Sequence, residues 1–138
     1  MAIALAVVLG IAWNAVAWWL LGGGPNAAWI PSGVLAGALA GFAGGRFTVW
    51  TRRRQGGRER LRDGFATFYL VLLVHWAAFV VFERVALCVR HGGWTDFDLR
   101  DHLLMIEWLG LIGTIRFGAV LIPLTFAARH AIWKLEIR

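Results

Sequence analysis

Residues 29–62 read WIPSGVLAGALAGFAGGRFTVWTRRRQGGRERLR. Glycine recurs at every fourth position, Gly33, Gly37, Gly41 and Gly45, with Ala36, Ala40 and Gly44 beside it. Residues four apart stack on one face of a helix, so this spacing makes a flat strip against which another helix backbone can close. The strip gives way to Arg52, Arg53, Arg54, Arg58, Arg60 and Arg62. An apolar run that ends in a cluster of arginines reads as a helix that crosses a bilayer and emerges on its basic side.

The rest of the chain extends this reading. Of the 138 residues, 59 % are hydrophobic and 16 % charged, against roughly 25 % charged in soluble domains. Apolar runs cover about residues 2–21, 29–50, 65–89 and 103–128. Each is near the ~20 residues that cross ~30 Å of hydrocarbon. Backbone groups in lipid are satisfied only within the segment, so the runs are expected to be helices. The expected fold is all-α and integral to the membrane. It is a single transmembrane domain over residues 1–138, with four helices arranged as two hairpin repeats.

Basic residues set the orientation. The 51–64 segment carries the six arginines named above, and the carboxyl end carries Arg129, Lys134 and Arg138. The 22–28 segment has no Lys or Arg, and the 90–102 segment balances Arg90 and Arg100 with Asp96, Asp98 and Asp101. Lys and Arg are retained on the cytoplasmic side, which places both termini there, in the plasma (bacterial inner) membrane. Tryptophans agree: Trp18, Trp19, Trp29 and Trp94 fall near one interface, Trp50 and Trp133 near the other. The amino-terminal run lacks the basic leader of a signal peptide and is expected to be a retained first helix. The basic segments also suit anionic headgroups, each residue near the surface contributing about 1 kcal/mol.

Polar residues inside apolar helices are costly and therefore candidates for function. Asn14, His75 and Arg116 fall near the middle of the first, third and fourth helices. Arg116 lies about twelve residues, or ~18 Å, from either end of its run, too far to snorkel out. It calls for an acid, carbonyls, water or a ligand phosphate. Glu83, Arg84 and Glu107 form a second layer, readable as structural ion pairing such as Arg84–Glu107. Glu107 and Arg116 are nine residues apart and point to opposite sides of their helix, as do His75 and Arg84. The polar groups therefore divide into two seams, or some face a partner. The glycine strip packs either within the bundle or against a second copy or another protein.

Other classes find little support. No nucleophile has a base at usable spacing, no carboxylate pair shares a soluble cleft and no phosphate loop is present, so no enzyme is expected. No groove-reading surface exists for nucleic acid. Cys88 is the single cysteine and reads as a packing residue. His91, His102 and His130 lie at helix ends, away from the depth of His75, so neither a metal nor a cofactor is expected. Asp96, Asp98 and Asp101 read as a solvated loop with a helix cap at Asp101.

The two halves look alike: each hairpin ends in Arg-x-x-x-Trp, as Arg46/Trp50 and Arg129/Trp133, preceded by Phe42 and Phe126. The second helix ends Gly41-Phe42-Ala43-Gly44-Gly45-Arg46-Phe47-Thr48-Val49-Trp50, and the fourth ends Thr125-Phe126-Ala127-Ala128-Arg129-His130-Ala131-Ile132-Trp133. The first helix carries Gly10 and Asn14. Over nearly the whole chain this layout resembles the GtrA-like family of small four-helix membrane proteins. The family's Asn before the arginine is replaced here by Gly45 in the first repeat and by Ala128 or Thr125 in the second. The resemblance implies a flippase or accessory protein for polyprenyl-phosphate-linked sugars in polysaccharide biosynthesis, or a membrane anchor for a glycosyltransferase. Asn14, His75, Arg116, Arg46 and Arg129 are then the candidate phosphate contacts. Expected partners are membrane lipids, polyprenyl phosphate, a glycosyltransferase and a further copy of the chain. The alternative is a non-catalytic subunit of a larger respiratory or photosynthetic membrane complex.

Overall fold

A computed structural model of the chain describes residues 1–20, 30–55, 60–92 and 99–135, without the side chains of His91, Leu99, His102, Leu109, Gly113 and Phe117. The 22–28 segment, Trp29, Trp94, Asp96, Asp98, Arg58 and Arg138 lie outside the described residues. The described chain is helical: α1 spans Ala2–Leu20, α2 Ile30–Arg54, α3 Leu61–His91 and α4 Leu99–Leu135. The last two helices run well past the apolar runs 65–89 and 103–128. Hydropathy marks only the greasy part of a helix, whereas backbone hydrogen bonding propagates into the polar residues on either side. Asp101 consequently sits inside the first turn of α4 rather than capping it, where a carboxylate still complements the helix dipole. At the other end of α3, Gly92 takes the left-handed conformation (φ 70°), and its N–H bonds the Cys88 carbonyl. That is the usual helix stop that glycine permits.

Helix α2 packs against each of the other three, and α1 and α4 close on one another. The glycine strip lies against α1. A Cβ on Gly41 would strike the Ala6 carbonyl, one on Gly10 the Gly37 carbonyl, and one on Gly45 the Ala6 side chain. Gly33 and Gly37 accommodate the Asn14 side chain. The strip therefore has an occupant within the chain, and α1 and α2 meet backbone to backbone.

The distribution of residue types is inverted relative to a soluble protein. Buried positions hold Asn14, Ser32, Thr48, Thr51, Asp63, Thr67, His75, Thr125 and Arg129 alongside a core of Trp13, Phe68, Leu72, Trp76 and Leu121. The exterior carries Val8, Trp19, Leu35, Leu39, Leu73, Val81, Trp108, Ile115 and many other large apolar side chains. So extensive an apolar exterior needs an apolar medium. Two helices, Ala2–Leu20 and Leu61–Arg90, are long and apolar enough to cross a membrane. In α4, Leu103–Arg116 and Gly118–Leu135 meet at 91°, and the pair qualifies as a third span if it is one crossing. Pro123 weakens the helix near this bend, because it has no N–H to offer the carbonyl four residues back.

Candidate functional site

The buried polar residues form two linked groups. In the first, His75 on α3 and Asn14 on α1 meet across the bundle, His75 Nε2 to Asn14 Oδ1 at 2.6 Å. His75 is 0 % and Asn14 6 % exposed. Aromatic rings enclose the imidazole: Trp13 and Trp76 stand edge-on, with centroids 5.2 and 4.9 Å away. Phe79 is parallel to it at 6.5 Å. Asn14 fits because Gly33 and Gly37 leave room for its side chain. Among the described residues, Nδ1 of His75 and the indole Nε1 atoms of Trp13 and Trp76 are buried without a hydrogen-bond partner.

The second group lies at the end of the bundle next to the arginine loop and centres on Arg129, 1 % exposed. Its guanidinium donates to Thr67 Oγ1 on α3 (2.8 Å) and to Thr51 Oγ1 on α2 (3.2 Å). One side chain thus ties three helices. The threonines can accept because their own protons are used elsewhere: Thr67 donates to the Asp63 carbonyl and Thr51 to that of Thr48. Thr48 and Thr125 likewise donate to the Gly44 and Leu121 carbonyls. This is the back-bonding that lets a hydroxyl sit inside an apolar helix. The Trp133 ring packs under two cations, Arg129 at 5.2 Å and Arg52 at 5.7 Å, and Arg52 also donates to the Trp133 carbonyl. Where the α2–α3 connection closes, Gln55 Nε2 donates to Asp63 Oδ2 at 2.6 Å.

Between the two groups lies a chamber of about 40 Å³, walled by Gly10, Gly41 and Gly44 and by Trp13, Thr48, Thr67, Thr125 and Arg129. At ~10–15 Å³ per water centre, it has room for roughly three water-sized groups. The glycines that bring α1 onto α2 therefore also leave this space open.

The sequence candidates divide accordingly. Asn14 and His75 come together, and Arg129 is buried. Arg116, counted at the same depth as Asn14 and His75, is exposed on α4 and lies outside their pair. Arg46, the counterpart of Arg129 in the first hairpin, is exposed on α2, and Trp50 is exposed where Trp133 is buried. The two Arg-x-x-x-Trp signatures thus occupy unlike environments. Glu83 and Arg84 are half-buried near the end of α3, and Glu107 is exposed on α4. Sequence reading missed Thr48, Thr51 and Thr67, and weighed Thr125 only as a stand-in for the family's Asn. The available signal was four hydroxyls inside helices otherwise built from small and apolar residues. Among the described residues no three His, Cys, Asp or Glu side chains gather as metal ligands. Searches of protein-family models, curated proteins and solved structures found no match to the chain.

Proposed function

We propose that this chain is a four-span membrane protein that handles a polyprenyl-phosphate-linked sugar without covalent chemistry, as a flippase or as an accessory to a glycosyltransferase. Both termini are cytoplasmic, in the plasma membrane. The observation that carries the reading is Arg129, buried within an apolar exterior, where it donates to the Thr67 and Thr51 hydroxyls at the wall of a small chamber. A phosphate that enters or crosses a membrane needs such a positive, hydrogen-bonding interior. Helix α2 crosses in this reading although glycine and arginine lower its hydropathy, because α1, α3 and α4 enclose its polar and glycine faces. The GtrA-like layout supports the assignment, with Arg129 now favoured over Arg116 and Arg46 for the phosphate. The basic loop after α2 lies on the cytoplasmic face, where lipid phosphates and acidic partners meet it. The rival reading, a scaffold subunit docking through the glycine strip, loses that surface to α1.

The test is translocation of a fluorescent lipid-linked sugar in proteoliposomes. Arg129→Gln is expected to lower the rate at least about tenfold, since a charged hydrogen bond contributes ~1.5–3 kcal/mol and 1.4 kcal/mol is a factor of ten. Arg46→Gln is expected to stay within about twofold, because no buried partner is lost at that exposed position. Equal rates for wild type and Arg129→Gln would remove the basis of the proposal.

A further inference from the structure

At the basic end of the bundle a depression of about 560 Å³ opens between the start of α3 and the end of α4, walled by Arg60, Leu61, Phe126, Ala127 and His130. Small-molecule sites span roughly 300–1,000 Å³. One glycine sets its floor. A Cβ on Gly64 would strike the Phe126 ring, so that ring seats against α3, edge-on to Phe65 at 5.4 Å. Leu61, Phe65 and Tyr69 lie four apart on one face of α3, all exposed, and carry the apolar wall along the exterior. The rim is basic. Arg60 and His130 are exposed there, and Lys134 stands one turn beyond His130 on the same face of α4, also exposed. Among the described residues, the Arg60 and Lys134 side chains have no hydrogen-bond or ion-pair partner. Asp63, in the first turn of α3, is buried and accepts from Gln55 instead of facing the rim.

We infer that this depression binds an anionic glycerophospholipid of the surrounding membrane, its phosphate at the rim between Arg60 and Lys134 and an acyl chain along the α3 face. Two observations fix the occupant. The apolar wall continues onto the exterior that needs an apolar medium, so the ligand must carry a hydrocarbon chain. The rim holds two unpaired cations, so the head must be an anion. Basic pockets between helices at a membrane surface select anionic headgroups in this way. The Arg60 guanidinium can grip two phosphate oxygens at once, whereas Lys134 acts as a point charge. A zwitterionic head brings its own ammonium against these cations and loses the advantage. No residue lines both this depression and the chamber beside Arg129. The site therefore stands apart from the reading above and holds whether or not the chain handles a lipid-linked sugar.

Native mass spectrometry of the full chain in detergent tests this, with phosphatidylglycerol, phosphatidylcholine and inorganic phosphate as probes. Wild type is expected to retain phosphatidylglycerol at least about tenfold better than either of the others. The double variant Arg60→Gln/Lys134→Gln is expected to cut that retention at least about tenfold, since each basic residue near a membrane surface contributes roughly fivefold. Ala127→Trp fills the depression without changing its charge and is expected to cause a comparable loss. Arg53→Gln/Arg54→Gln removes the same charge from exposed positions outside the depression and is expected to stay within about twofold. All five positions are exposed, so none of these variants disturbs the buried core. Three results would overturn the site: phosphatidylcholine held as well as phosphatidylglycerol, inorganic phosphate held as well as the lipid, or equal losses from the Arg53/Arg54 and Arg60/Lys134 variants.

Discussion

Gly41→Leu is expected to pry α1 away from α2 and to be among the most destabilising single changes in the chain. A Cβ at Gly41 meets the carbonyl of Ala6, with the Gly10 Cα at 3.0 Å on the same side. These are backbone atoms, so no rotamer change relieves the clash. Forcing added methylenes into a packed core usually costs about 1–3 kcal/mol. The cost here falls at the upper end or beyond, because two helix backbones must part. The separation would also withdraw the packing around Asn14 and open the chamber that Gly10 and Gly41 wall. Thermal unfolding in detergent, followed by circular dichroism, measures this. The control is Gly110→Ala: a Cβ there meets nothing within 4 Å, and alanine favours a helix over glycine by about 1 kcal/mol. If Gly41→Leu unfolds at the same temperature as Gly110→Ala, the close packing of α1 on α2 is not what holds the bundle.

Asn14→Leu is expected to destabilise through the group it abandons. His75 is fully enclosed, and its only described hydrogen bond runs to Asn14 Oδ1. With leucine opposite, both ring nitrogens lie buried without a partner, at a cost of about 1–3 kcal/mol. Removing both partners is cheaper than removing one. The double variant Asn14→Leu/His75→Leu is therefore expected to be more stable than the sum of the single losses implies. Coupling across membrane helices averages ~0.6 kcal/mol and reaches ~1.7, and the enclosure of this pair places it toward the higher figure. A double-mutant cycle on unfolding free energies reads the coupling directly. Strictly additive losses would mean that the bond contributes nothing and that the two residues are held by shape alone.

How far the sequence could be read depended on the kind of residue. The glycine strip was legible because spacing of four is a property of one helix, although its occupant became clear only when α1 was seen against it. Asn14 and His75 were matched by counting depth from the helix ends, which works when helices run side by side. The same count could not say which face Arg116 takes, and that residue is exposed on α4 next to the bend. The Arg-x-x-x-Trp signatures promised equivalent ends and did not deliver them. The Arg-x-x-x-Trp spacing is the same at Arg46 and Arg129, but burial is decided by what the neighbouring helices present. Arg129 meets Thr51 and Thr67, which lie 78 and 62 positions away. A threonine in an apolar helix does not announce a distant partner, since it can always satisfy its proton on its own backbone. The helix ends were underestimated for the separate reason that hydropathy and helical hydrogen bonding stop at different places.

The two sets of contacts also differ in when they can form. The glycine seam joins α1 to α2 and is complete once the first fifty or so residues have been made, a short-range closure of low entropic cost. The three-helix knot around Arg129 needs α4, so it forms only after α1, α2 and α3 have been made. A nascent chain halted before α4 would hold a finished first hairpin while Thr51 and Thr67 lacked the guanidinium that later joins them.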